Sequence, residues 1–238
     1  MDRPFVVCHM LTSLDGKIDG AFFGAPQAAP ALKAYNRLRG FYGCPATLYG
    51  TTTMPGGYAA GMAPALPESG GPLPGEDYVN PQGRAMENFI VSADPKGVLG
   101  FEGPTIEKKG RPAAHVIEAV TQAAPPTYLA YLRRQGVSYL TAGRDRLDGA
   151  LLLDKLAQHF GIARLMAAGG GVTNWSFLQQ GLIDELSLVV APVADGNTTA
   201  VSIFEQAAFL PSHPPVAFHL KQAQPLDGDA LWLRYQPA

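Results

Sequence analysis

The chain has 238 residues, 47% hydrophobic and 16% charged, with a formal net charge of −2. That length supports one substantial core, and a near-neutral chain without a lysine/arginine run excludes the footprint of a nucleic-acid binder or of a protein held on an anionic membrane. Cys8 and Cys44 are the only cysteines, and neither belongs to a Cys-x-x-Cys pair or a Cys/His pattern with metal-ligand spacing, which excludes a disulfide framework and a zinc site and fits reduced, cytoplasmic thiols.

Phe5 to Thr12 is apolar at nearly every position, as expected of a strand covered on both faces and central in its sheet. Phe5 to Leu14 is too short and too close to Asp2 and Asp15 for a transmembrane helix, and it lacks the cleavage pattern of a signal peptide. Ser13-Leu14-Asp15-Gly16-Lys17-Ile18 follows as a turn at the strand's end, where ligands of open α/β sheets gather; read alone, it is equally an ordinary turn. Ala31 to Arg39 has helical spacing through Leu32, Tyr35 and Leu38, with Lys33, Arg37 and Arg39 on a solvated face. Ala46 to Tyr49 is a short strand, and Gly50-Thr51-Thr52-Thr53 after it offers backbone N–H groups and hydroxyls together, an anion-friendly arrangement. Of the 27 glycines and 21 prolines, thirteen fall between Met54 and Arg84. This 54–84 stretch has almost no apolar periodicity and reads as a long irregular loop, either a lid or a disordered segment.

Strands are expected at Asn88 to Ala93 and His115 to Thr121, then a helix Thr127 to Gln135 closed by Gly136, a strand Val137 to Thr141, and a helix capped by Asp148 with Leu152, Leu153, Leu156 and Phe160 as its core face. The strongest signal comes next. Leu165 to Ala168 is an apolar run meeting Gly169-Gly170-Gly171, a helix with spacing Val172, Trp175, Leu178 runs to Gly181, and Leu186 to Val190 is a strand ending at Pro192. A helix start leaves backbone N–H groups unpaired and carries partial positive charge, and glycines remove the Cβ atoms that would keep a phosphate away. From the glycines alone, a phosphate-binding turn and a plain tight turn read equally well. No Gly-Lys-Ser/Thr follows, and Asn174 breaks Gly-x-Gly-x-x-Gly, so neither a Walker loop nor a Rossmann fingerprint is present. Val216 to Gln222 and Ala230 to Tyr235 flank Leu226-Asp227-Gly228-Asp229 as a hairpin. The order predicts a single α/β domain over residues 1–238, with a mixed, mainly parallel sheet flanked by helices and a C-terminal antiparallel hairpin.

No Ser-His-Asp, His-Glu-x-x-His or Gly-x-Ser-x-Gly pattern occurs, and the five histidines are scattered. Two anion-friendly turns without a nucleophile or a metal cluster place the chemistry on a bound phosphorylated cofactor.

Ser13-Leu14-Asp15-Gly16-Lys17-Ile18, Gly50-Thr51-Thr52-Thr53, and Gly169-Gly170-Gly171 with Gly181-Leu182-Ile183-Asp184-Glu185-Leu186 and Ala191-Pro192-Val193 together resemble the C-terminal reductase domain of bacterial riboflavin-biosynthesis deaminase-reductases and its stand-alone relatives. Order and spacing agree along nearly the whole chain. The resemblance implies a dihydrofolate-reductase-like fold, NADPH as cofactor, a homodimer, and hydride transfer to a pyrimidine- or pterin-like small molecule. By position it implies that Gly169, Gly170 and Gly171, with Val172 and Thr173 opening the helix, hold the cofactor diphosphate. Thr53 lines the same cleft, Ser92 serves the adenosine ribose, and Lys96 serves a 2′-phosphate. Asp15 and Lys17 are the implied catalytic pair beside nicotinamide and substrate.

Two departures bear on the substrate. The family's glutamate before the glycines is Ala168 here, and its Asp-Asp-Pro loop with a following arginine is replaced by Pro55 to Gly83. They predict weak turnover of the ribosylaminopyrimidinone phosphate of riboflavin synthesis, and they leave open a non-catalytic nucleotide-binding protein that kept the fold. The zinc deaminase signature, His-x-Glu with Pro-Cys-x-x-Cys, is absent. For the homodimer, the sequence offers the apolar run Leu231 to Tyr235 near a sheet edge, which invites a partner.

Overall fold

The computed structural model describes residues 3–66, 70–72 and 75–238. In chain order the elements are β1 (Phe5–Thr12), α1 (Ala29–Tyr42), β2 (Ala46–Gly50), α2 (Pro81–Arg84), β3 (Phe89–Ala93), β4 (Thr105–Ile106), β5 (Ala114–Val120), α3 (Pro126–Gln135), β6 (Ser138–Thr141), α4 (Gly149–Phe160), β7 (Arg164–Ala167), α5 (Gly171–Gln179), β8 (Glu185–Val190), β9 (Phe218–Pro225) and β10 (Leu231–Pro237). They fall into two compact units: Met1–Pro4 with Pro45–Ala163, and Phe5–Cys44 with Arg164–Ala238. No helix among the described residues is long and apolar enough to cross a membrane.

In the first unit β2, β3 and β5 run parallel, β6 adds parallel to β5, and the short β4 adds to β5 antiparallel. All five β3 residues and all seven of β5 are buried, which is why both read as continuous runs rather than alternating ones. The helices begin and end where the sequence marks them. The Asp148 carboxylate accepts from Leu151 N at 3.0 Å, and α3 and α4 stop at Gly136 and Gly161 in the left-handed region, φ 70° and 66°. The 54–84 stretch is tied to this unit at several described points. Antiparallel bridges join Met62 to Leu99 and Tyr78 to Tyr139, and α2 is capped by the Asn80 side chain, whose Oδ1 accepts from Gln82 N and Gly83 N at 2.9 and 3.2 Å. Residues 67–69 and 73–74 of that loop lie outside the described residues.

In the second unit β1 lies between β7 and β8, parallel to both, as its apolar run foretold. Beyond β8 come β10 and then β9, both antiparallel to their neighbours. This corrects one expectation: Leu231 to Tyr235 is not at the edge, because it pairs with β8 on one side and β9 on the other. Here the edge is β9, whose side chains are mostly exposed; its polar Lys221, Gln222 and Gln224 are the usual dress of an edge strand.

A buried polar network organises the middle of this unit. His9 is fully buried and stacks on Tyr35, with ring centroids 4.6 Å apart. Its Nε2 is 3.0 Å from the Tyr35 carbonyl, which can only accept, so Nε2 carries the hydrogen and Nδ1 accepts from the Ser187 hydroxyl at 2.9 Å. The Ser187 oxygen in turn accepts from Trp232 Nε1 at 2.9 Å. Burial pushes the His9 pKa down to about 4, so the folded state keeps the ring neutral while the unfolded chain binds a proton below about pH 6.5. Its contribution to stability is complete above pH 6.5 and is lost as pH falls toward 4. Replacing His9 with Gln retains a donor for Tyr35 and cannot titrate. The difference in unfolding free energy between wild type and His9→Gln should therefore shrink by about 2 kcal/mol from pH 7 to pH 5. Urea titrations of both proteins measure it, and parallel profiles would contradict the neutral buried ring.

Candidate active site

The glycine turn sits where β7, whose Leu165, Met166 and Ala167 are at most 1% exposed, leaves the core. Gly169 has φ +107°, a conformation that side chains disfavour, and the Gly169–Gly170 peptide is cis. Gly170 is the N-cap of α5, with φ −73° and ψ −175°, and no side chain caps the helix. The first closed hydrogen bond runs from Asn174 N to the Gly170 carbonyl at 3.0 Å, so the N–H groups of Gly171, Val172 and Thr173 point out of the helix end. Val172 and Thr173 are half-buried in this first turn. Gly171 is demanded by packing: a Cβ there would strike the Ser202 carbonyl and lie 3.0 Å from Glu205 Cγ.

The strip from Ala200 to Glu205 is what joins this turn to the Asp15 and Lys17 loop. On one side Glu205 N donates to the Gly171 carbonyl at 3.1 Å, and Asn174 Nδ2 donates to the Ile203 carbonyl at 3.0 Å. Glu205 Oε1 accepts from Ser202 N at 2.8 Å. On the other side Lys17 bridges antiparallel to Ser202, Ile18 N donates to the Val201 carbonyl at 2.9 Å, and Lys17 Nζ donates to the Ala200 carbonyl at 3.2 Å. Lys17, half-buried, is thus held against the strip that packs on Gly171.

Asp15 is exposed, yet its carboxylate is fully engaged. It accepts from the Ser13 hydroxyl at 2.6 Å, from Asp195 N at 3.0 Å and from Gly196 N at 2.9 Å. The Ser13 hydrogen bond first, then the two backbone N–H groups, hold its pKa well below the usual carboxylate range. The Asp15 carboxylate thus ties the end of β1 to residues 195 and 196 and shapes the loop that presents Lys17. Asp184 and Glu185, beside the start of β1, are engaged in holding the unit together. Asp184 Oδ2 accepts from Val6 N at 2.7 Å, and Glu185, 3% exposed, receives Tyr42 OH at 2.6 Å and the Arg234 Nε and Nη2 at 2.7 and 2.8 Å. Burial would raise the Glu185 pKa, but the Arg234 and Tyr42 hydrogen bonds keep it lowered.

The remaining expected residues belong to the first unit. Thr53 is half-buried at the start of a 3₁₀ turn, its N–H donating to the Gly50 carbonyl at 2.9 Å. Lys96 is exposed on the turn after β3. Ser92 is fully buried, in register with Glu118 on β5. The strip at Ala200 to Glu205, Asn174 with its buried, unpartnered Oδ1, and the Asp94–Glu118 pair behind Lys96 had not been expected.

The family model of the RibD C-terminal domain matches residues 4–232. A 2,5-diamino-6-ribosylamino-4(3H)-pyrimidinone 5′-phosphate reductase from Methanothermobacter thermautotrophicus is 27% identical over 230 residues, 96% of both chains. A reductase of the same name from Aquifex aeolicus is 34% identical over 84 residues, 35% of this chain and 37% of that one. Among solved structures, a pyrimidine reductase-like protein from Corynebacterium diphtheriae has TM-score 0.68 at 16% identity, covering 99% of this chain and 92% of that one. RibD of Acinetobacter baumannii has TM-score 0.63 at 21% identity over 99% of this chain, which spans 58% of that longer protein. These likenesses place the fold with the dihydrofolate-reductase-like reductase domains, as expected from the sequence.

Proposed function

Because the chain belongs to the RibD C-terminal domain family, we propose that it is a reductase that transfers a hydride from NADPH to a ribosylamino-pyrimidinone phosphate. The observation that carries the reading is the uncapped, side-chain-free start of α5 joined through Ala200 to Glu205 to the Lys17 loop. The residues fit a dinucleotide. N–H groups at a helix start suit a diphosphate, and Gly169 to Gly171 leave it close access. Val172 and Thr173 extend the same turn, while Thr53, Ser92 and Lys96 serve the adenosine side, Lys96 giving a preference for NADPH over NADH. Bound nicotinamide supplies the hydride. Lys17 supplies a fixed ammonium that can orient a polar acceptor and neutralise charge developing on it, and Asp15 holds that loop in place. The two units act as one reductase domain, since the family match runs through both.

The full-length likeness to a pyrimidinone phosphate reductase weighs against two expectations drawn from Ala168 and the missing arginine-bearing loop, namely poor turnover of such a substrate and a non-catalytic role. An assay of NADPH oxidation with that substrate tests the reading, and a folded protein that oxidises none would sink it. We also propose a homodimer, now through the β9 edge, where Leu220 is 56% exposed. Sedimentation at micromolar concentration should show the dimer, and a monomer alone would rule it out.

A further inference from the structure

Behind the turn that carries Lys96 lies a group of acids that hydride transfer does not use. Ser92 and Glu118 face each other in register on β3 and β5, both 0% exposed, and Asp94, 1% exposed, follows on the same face two residues after Ser92. Asp94 Oδ2 accepts from Val98 N at 2.6 Å and Leu99 N at 2.9 Å, so this oxygen is committed as an acceptor to the turn. The same turn is closed by Gly97 N on the Asp94 carbonyl at 3.1 Å, by the Thr121 hydroxyl on the Pro95 carbonyl at 2.7 Å, and by the Tyr128 hydroxyl on the Leu99 carbonyl at 2.9 Å. Gly97 has φ +68° and presses on the Tyr128 ring, leaving no room for a side chain. Lys96 therefore stands on a turn to which the Asp94 carboxylate contributes two of the hydrogen bonds.

The titratable groups facing Glu118 are Asp94 from the end of β3 and Tyr128 from α3. The Tyr128 hydroxyl lies 3.3 Å from Glu118 Oε1 and 3.5 Å from Asp94 Oδ2, and the Tyr131 ring is 5.9 Å from that of Tyr128. Glu118 Oε2, Asp94 Oδ1 and the Ser92 hydroxyl are buried and have no hydrogen-bond partner among the described residues; the single Ser92 hydrogen can serve only one of the two oxygens. Two bare carboxylates in so dry a place would repel strongly and be left unsolvated, whereas one proton between them removes a charge and provides the missing hydrogen bond. Burial first, then the Asp94 charge, pushes the Glu118 pKa well up.

We propose that Glu118 shares its proton with Asp94 and is thereby the positioning residue that fixes the Asp94–Leu99 turn and, with it, Lys96. The part played by Lys96 rests on the cofactor role proposed above; the shared proton does not.

The test compares the full chain with Glu118→Gln, whose amide donates to Asp94 as the acid does but cannot ionise. The unfolded chain releases the Glu118 proton above about pH 4.3, while the folded chain keeps it. The folding constant of wild type relative to Glu118→Gln should therefore fall as pH rises above about 5, by up to about tenfold for each pH unit until the folded chain also releases the proton. His9 and His115 titrate in both proteins and cancel. Denaturant titrations read the ratio, and profiles that run parallel would overturn the shared proton. The positioning half is read by calorimetric titration of NADPH and NADH at pH 7.5. Glu118→Asp, which shortens the reach to Asp94, should lose about tenfold in NADPH affinity, one charge contact, with NADH unchanged, while Glu118→Gln keeps both. Equal loss for both cofactors, or none, would overturn the positioning role. Lys96→Ala with the wild-type NADPH-to-NADH ratio would instead remove Lys96 from the cofactor reading, and the shared proton would still be judged on the stability profiles.

Discussion

Gly170→Val should lower NADPH affinity by roughly ten- to a hundredfold, the loss of one or two charge-assisted hydrogen bonds from phosphate to backbone N–H groups. The position is chosen for its backbone: φ −73° and ψ −175° is extended conformation open to any residue. The two flanking glycines would give a less clean answer. Gly169 has φ +107°, and a Cβ on Gly171 would strike the Ser202 carbonyl, so substitution there disturbs the turn itself. Calorimetric titration, with a melting curve to confirm the fold, reads the effect, and equal affinity in the variant would remove the phosphate from this turn.

The largest stability effect should come from Arg234→Met. Glu185, 3% exposed, is held by Arg234 through two hydrogen bonds of 2.7 and 2.8 Å and by Tyr42 at 2.6 Å, with Lys221 a distant 3.9 Å away. Methionine keeps much of the packing where Arg234 lies over Phe41 and Trp232, at 5.3 and 5.5 Å, but it leaves a buried carboxylate with one neutral donor. Removing one partner of such a pair costs about 3–5 kcal/mol, and because the Arg234 side chain is 22% exposed, so that water can partly stand in, the lower end is expected. Replacing both residues, Glu185→Leu with Arg234→Met, should recover most of that loss, since no bare charge remains. Urea unfolding measures both. A single variant as stable as wild type would mean that the pair contributes little.

The elements were legible wherever local chemistry set them. The apolar run of β1 was read to the residue, and α4 was bounded by the Asp148 cap and Gly161. What escaped was short or depended on distant residues. β4 has two residues and no periodicity to show, and α2 has four inside the Gly/Pro-rich stretch, although Asn80-Pro81 is a readable cap and first-turn pair. In the site, the glycine turn announced itself, but the Ala200 to Glu205 strip did not, because it has no repeating pattern and acts through contacts some 30 and 180 residues away. Asp15 was singled out as catalytic, yet its partners are the N–H groups of Asp195 and Gly196, 180 and 181 residues on; no reading of the turn alone could find them. For Ser92 the sequence offered only the adenosine-ribose role implied by the resemblance; that the period-two geometry of β3 sets it on one face with Asp94 needed the strand register.

The most direct measurement follows the hydride itself. The protein is incubated with NADPH carrying deuterium at the transferable nicotinamide carbon and with ribosylamino-pyrimidinone phosphate, and the product is analysed by mass spectrometry. The account predicts one deuterium in each product molecule, matched by an equal amount of oxidised cofactor. Unlabelled product, or no cofactor oxidation by a protein shown to be folded, would contradict it.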